Sequence, residues 1–234
     1  MLFAGSVLEA KVYLVAVGVN DYSKYPGGCN NLTLSIKDAK AVARLYGKNT
    51  ATEYSLLTDG TATRSRIKAA ITQVLGKAGV NDIVVFYFSG HGFPGGFCAY
   101  DGRLSYSEIR KAMSASRCKN KMMFIDSCHS GAMRQNGSHS GTSAANQAKK
   151  ANVMLFLSSR DSEISRENSK LQNGLFTAYI LKGLKGGADV NRDRTITARE
   201  LYDYVHRNVT GTSGDTQHPV MWGKFNNTMP VMQW

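Results

Sequence analysis

Five mainly apolar runs constrain this chain more than any other feature. They are Val12–Val19, Tyr54–Leu57, Ile83–Phe88, Met122–Ile125 and Val153–Leu157. Runs of this length, rich in Val, Ile and Phe and bounded by turn residues, read as strands buried on both faces. Such strands need cover above and below, and the segments between them supply it. Ser35–Tyr46 puts Ile36, Ala39, Val42, Ala43 and Tyr46 on one side of a helix. Thr63–Leu75 does the same with Ile67, Ala70, Ile71 and Val74, behind a threonine cap. Ser105–Met113, Leu175–Leu184 and Thr197–Val209 carry further helical patterns. The alternation predicts an α/β fold with a mainly parallel sheet and helices on both faces. Sheets of this kind bind ligands beyond the carboxyl ends of their strands. The residues that end each run are therefore the first candidates for function.

At 234 residues the chain is long enough to bury a sizeable core, and we expect one domain over 1–234. One stretch departs from the pattern. Ser130–Asn152 is rich in Ser, Gly, Asn and Ala, and long for a loop in a compact domain. It divides a larger segment, about 1–130, from a smaller one, 153–234, through a flexible linker over 131–152. The formal net charge is +12, which favours acidic partners. The basic residues are spread along the chain, however, with no basic run interleaved with aromatics. We therefore expect no nucleic-acid partner. The apolar run Val12–Val19 has eight residues, too short to span a bilayer, and no membrane partner is expected. The four cysteines, Cys29, Cys98, Cys118 and Cys128, form no C-x-x-C pair. They read as free thiols in a reducing compartment. The start MLFAGSVLEAK lacks a basic n-region, and we expect a soluble, cytoplasmic protein.

Two strand ends concentrate chemistry. DIVVFYFSGHG ends in His91, flanked by Gly90 and Gly92, and KMMFIDSCHSG carries Cys128. Both residues are expected at the carboxyl edge of one sheet. A thiolate is the nucleophilic form of cysteine, and a nearby imidazole holds its proton or stabilises the ion. Gly92 lets a substrate approach the backbone and offers its N–H, and the N–H of Cys128 is a second donor. Together they would hold the oxyanion of a tetrahedral acyl intermediate. Other readings fit less well. Cys128 and His129 are adjacent, so on an extended backbone they point opposite ways, and no second pair has zinc-ligand spacing. A buried structural cysteine after a strand is common, but it leaves the glycine-flanked His91 unexplained. GHGFPG matches G-x-G-x-x-G, yet Pro94 and the following GGFCAYDG do not look like the first turn of a helix.

These residues resemble the caspase-like cysteine peptidases, and within them the metacaspase and orthocaspase branch of bacterial type. The motifs are VGVNDY after the first strand, KDAKAVARLY on the first helix, YFSGHG before the histidine and DSCHSG around the cysteine. LSSRDSEISRE, GLFTAYILKGL and ADVNRDRTITARELYDYV extend the likeness through the second half. The resemblance implies a caspase-hemoglobinase-like sandwich with a mostly parallel sheet of about six strands. It implies a cysteine endopeptidase in which His91 and Cys128 form the catalytic dyad and Gly92 helps hold the oxyanion. It also makes Asp38 and Asp126 the pair that binds the residue before the scissile bond. Two carboxylates would select Arg or Lys through charge-assisted hydrogen bonds. Read without the resemblance, Asp38 is an ordinary solvated residue in the first turn of a helix. The alternative function is a catalytically silent caspase-like interaction scaffold.

Three further expectations follow from the resemblance and the chain. Activation from a zymogen would involve autocatalytic cleavage in the linker, where Arg134, Lys149 and Lys150 suit a basic-specific enzyme. Partners would be protein or peptide substrates, and the enzyme would be a monomer. No cofactor is expected and no metal ligand is assigned. Calcium is the alternative, because Asp189, Asn191, Asp193, Thr195, Thr197 and Glu200 match positions of an EF-hand loop. Against it, Arg194 stands where that motif needs glycine, and Thr197 and Glu200 form a capping box.

Overall fold

A computed structural model of the chain describes residues 10–26, 29–49, 51–93, 95–127, 153–160, 167–168, 172–223 and 225–234. All five apolar runs are strands. They are β1 (Val12–Gly18), β2 (Thr52–Thr58), β3 (Ile83–Ser89), β7 (Asn120–Asp126) and β8 (Val153–Leu157). A sixth strand, β12 (Val220–Trp222), completes the sheet in the order β12-β8-β7-β3-β1-β2. The pairings are parallel except that of β12 with β8.

The continuous apolar runs are explained by the two cores they serve. Alternate residues of one strand enter opposite layers. Val15, Val17, Phe86, Phe88, Met123 and Ile125 pack on one side, with Ile67 of α2 (Arg64–Ala70) and Ile109 of α3 (Tyr106–Ser114). Leu14, Ala16, Val85, Tyr87, Met122 and Phe124 pack on the other, with Val42 of α1 (Ser35–Asn49). Ile180 of α4 (Leu175–Lys182) and Leu201 of α5 (Ala198–Thr212) join this second layer. The helices start where their caps stand. Thr63, Ser105 and Thr197 each accept from the backbone N–H three residues on, the last two in reciprocal capping boxes with Glu108 and Glu200. No helix among the described residues is long and apolar enough to cross a membrane.

The structure adds strands that the sequence pattern does not announce. β4 (Gly92–Phe93), β5 (Gly96–Ala99) and β6 (Gly102–Ser105) form a small antiparallel sheet directly after β3. β9 (Glu167–Asn168) pairs with β10 (Asn173–Gly174), and β11 (Thr195–Thr197) with β13 (Pro230–Gln233). These pieces are short and depend on partners far along the chain, so local periodicity carries little trace of them.

Candidate active site

The register of the sheet brings the suspected strand ends level. Gly18 of β1 is opposite Ser89 of β3, and Ser89 is opposite Asp126 of β7. His91 follows Ser89 by two residues, as Cys128 follows Asp126 by two. Cys128 itself lies outside the described residues, together with the linker 131–152 and its Arg134, Lys149 and Lys150. The backbones of the two strands stay joined past the register pair, with the Gly90 N–H donating to the Asp126 carbonyl at 3.2 Å. Gly90 has φ +158, close to extended; what requires glycine there is space, because a Cβ would stand 2.5 Å from the Tyr22 hydroxyl.

His91 is fixed at both its backbone and its ring. The imidazole Nε2 is 2.7 Å from the Asn30 carbonyl oxygen. A carbonyl only accepts, so Nε2 carries a proton and Nδ1 is the atom left to exchange one with a thiol. The His91 N–H donates to the Tyr22 hydroxyl at 2.8 Å, and that hydroxyl donates to the Cys98 carbonyl at 3.1 Å. The Cys98 N–H donates back to the His91 carbonyl at 2.9 Å. The Tyr22 ring lies against the imidazole with centroids 4.7 Å apart. Gly92 is opposite Phe97. Hydrogen-bonded and non-bonded pairs alternate in an antiparallel ladder, and His91 with Cys98 is a bonded pair. Gly92 is therefore in a non-bonded pair, and its N–H points away from β5.

The two acids meet. Asp38 is 1% exposed and Asp126 is 6% exposed, so Asp38 is not the solvated first-turn residue that its position on the helix alone suggests. Helix α1 begins tight against the end of β1, where a Cβ on Gly18 would come 2.4 Å from the Ser35 carbonyl oxygen. That contact carries Asp38 inward. Its carboxylate accepts from Ser89 Oγ at 3.1 Å, Asn173 Nδ2 at 2.7 Å and the Gly174 N–H at 3.2 Å. Asp126 accepts from Thr177 twice, at 2.7 Å from Oγ1 and 3.3 Å from the N–H. Tyr87 and Thr177 hydroxyls are 2.6 Å apart, so the Tyr87 O–H donates to the oxygen that itself donates to Asp126. Helix α4 has no capping side chain of its own at Gly174. The two carboxylates take its first N–H groups instead, a favourable place for negative charge. Burial, and then the neighbouring Asp126 carboxylate, push the Asp38 carboxyl up to about 7.

Gly174 packs against both carboxylates. A Cβ there would stand 2.6 Å from Asp126 Oδ2 and 3.2 Å from Asp38 Oδ2. Gly174→Ala should therefore spread the carboxylates and cost about 1–3 kcal/mol of stability, measurable as a lower denaturation midpoint. An unchanged midpoint would mean the two acids are less tightly held than this packing indicates.

The residues that sequence reasoning missed have weak signals. Asn30 acts through its backbone carbonyl, which any residue would provide. Tyr22, Asn173, Gly174 and Thr177 lie inside quoted motifs or beside them, but nothing in their spacing assigns a partner. The acidic loop after α4 is closed on itself. Asp189 accepts from the Asp193 and Arg194 N–H groups and Asp193 from the Thr195 N–H. Glu200 Oε2 accepts from Thr197 N–H and Oγ1. Arg194 has φ 64, the left-handed conformation that the EF-hand motif reserves for glycine. Among the described residues no three His, Cys, Asp or Glu side chains are grouped to hold a metal ion.

Comparison with known proteins bears on the same frame. A family model described as the caspase domain matches residues 12–228. The fold is similar to the crystal structure of protein GSU0716 from Geobacter sulfurreducens, with a TM-score of 0.68 over 95% of this chain and 97% of that one. The two are 20% identical, so this likeness speaks for the fold alone. A search of curated proteins found no match.

Proposed function

From the premise that the chain belongs to the caspase-domain family of cysteine peptidases, we propose that it is an endopeptidase hydrolysing peptide bonds after Arg or Lys. The observation that carries the specificity is the buried pair Asp38 and Asp126, converging on Gly174 beside the ends of β3 and β7. Two buried carboxylates side by side repel each other, and a guanidinium or ammonium brought up to the pair would relieve that repulsion. An acidic side chain there would add a third like charge.

In this reading the Cys128 thiolate attacks the carbonyl carbon. His91 protonates the leaving amine through Nδ1 and later takes a proton from the water that releases the acyl group. The N–H groups of Gly92 and Cys128 hold the oxyanion. Substrates are proteins or peptides with a basic residue before the scissile bond. The same specificity would allow self-cleavage at Arg134, Lys149 or Lys150.

Fluorogenic peptides ending in Arg, Lys, Asp or Leu test the proposal. Release after Arg and Lys alone is expected. Release after Asp would remove the acidic pair from the specificity pocket. Silence in every well, with and without calcium and after limited proteolysis of the linker, would favour an interaction scaffold.

A further inference from the structure

The hydroxyl of Tyr22 stands where a rung of the sheet should be. His91 and Cys98 face each other as a hydrogen-bonded pair of an antiparallel ladder, and such a pair normally exchanges two direct bonds. One is present, from the Cys98 N–H to the His91 carbonyl at 2.9 Å. The other is split by the phenol, which accepts from the His91 N–H at 2.8 Å and donates to the Cys98 carbonyl at 3.1 Å. The hydroxyl comes from VGVNDY, 69 residues before His91, and Tyr22 is 1% exposed. Burial pushes its phenol far above the ordinary value, so it keeps the proton that it donates.

We propose that Tyr22 is a positioning residue for catalysis: its hydroxyl spaces the His91 backbone from Cys98 and thereby sets where the imidazole and the Gly92 N–H face. A direct bond between His91 N–H and Cys98 carbonyl would draw the two strands together by about the width of one oxygen atom. His91 would move off the Asn30 carbonyl, and the Gly92 N–H would turn with it. Gly90 fits the same design, since a side chain there would occupy the place of the phenol oxygen. Hydrogen bonds that orient a catalytic base act on turnover more than on substrate affinity. The acidic pair contacts neither Tyr22 nor Cys98 through any of its hydrogen bonds described above, so binding of the basic side chain should be spared. This inference rests on the cysteine peptidase reading for its kinetic consequence, though not for its structural one.

The test is Tyr22→Phe in the full chain, with Tyr22 replaced by a fluorotyrosine that keeps the hydroxyl as the second variant. Hydrogen exchange of the His91 and Gly92 amides is followed by NMR, and kcat and KM are measured on an arginyl peptide. In the wild type the His91 amide should be protected and the Gly92 amide should exchange faster. Tyr22→Phe should speed His91 exchange at least tenfold and lower kcat about 10- to 100-fold, with KM within twofold. Fluorotyrosine should restore both. Unchanged His91 exchange in Tyr22→Phe overturns the proposal, whatever the activity. Faster exchange with an unchanged kcat also overturns it, leaving the contact merely structural. A wild type that cleaves nothing removes the peptidase reading, while the exchange measurement still decides whether the hydroxyl holds His91.

Discussion

Cys128→Ala should abolish peptide hydrolysis, with a loss of about 1,000-fold or more, and His91→Ala should cost nearly as much. The double variant should be little worse than either single one. A nucleophile and its proton partner act as a unit, so removing the second after the first has little left to remove. Independent contributions would instead multiply. The geometry of His91 motivates the strong expectation for that residue. Its Nε2 is committed to the Asn30 carbonyl, so in the proposed mechanism a single ring nitrogen would serve both the thiol and the leaving amine. Rates on an arginyl peptide, with active sites counted by thiol alkylation, give the comparison. His91→Ala retaining a tenth of the wild-type rate would transfer the acid–base role to another group. Cys128→Ala should also persist as an intact chain after purification, because the proposed cleavage in the linker uses the same thiol.

Asp38→Asn and Asp126→Asn should each lower kcat/KM for arginyl peptides about 100-fold, equivalent to about 2.7 kcal/mol. That is the range of a buried charge-assisted hydrogen bond. The wild type should also bind basic substrates better as pH rises through about 7, where the Asp38 carboxyl ionises. Dividing the arginyl rate by that for a citrullyl peptide cancels the pH dependence common to both substrates and leaves the pocket. The ratio should climb between pH 6 and 8 in the wild type and stay flat in Asp38→Asn. Stability should move the opposite way. An acid whose folded value is raised is ionised in the unfolded chain from about pH 4, but in the folded protein only near 7. Its contribution is therefore most favourable at low pH and is lost as pH rises between those points. Asp38→Asn should unfold at higher denaturant than the wild type at pH 8, with the gap shrinking towards pH 4. A ratio that is flat in the wild type would place the proton elsewhere than on this pair.

The central strands were readable because burial on both faces leaves a continuous apolar signature, whereas β2 at the sheet edge is only partly covered. Val12–Gly18 and Ile83–Ser89 are buried throughout. Helix starts were readable because Thr63, Ser105 and Thr197 cap locally. The small sheet of β4, β5 and β6 was not, since glycines at 92, 96 and 102 resemble loop and the strands are stabilised by each other. The place of His91 just past the end of β3 was readable from the glycines around it. That of Asp38 was not. Its partners Asn173 and Gly174 are 135 and 136 residues away, a distance that no local pattern spans. The carbonyl of Asn30 is invisible in principle, because every residue carries one.

The central sheet is also a partition. The contacts that hold His91, from Tyr22 and Cys98, belong to the layer of α2 and α3. Those around the acidic pair reach Tyr87 and the helices α1 and α4, in the opposite layer. The two groups of contacts share little beyond the strands themselves, where the Gly90 N–H donates to the Asp126 carbonyl. On the proposed roles, substitutions in α1 and α4 would retune which substrate is held, and those under α2 and α3 would retune the chemistry.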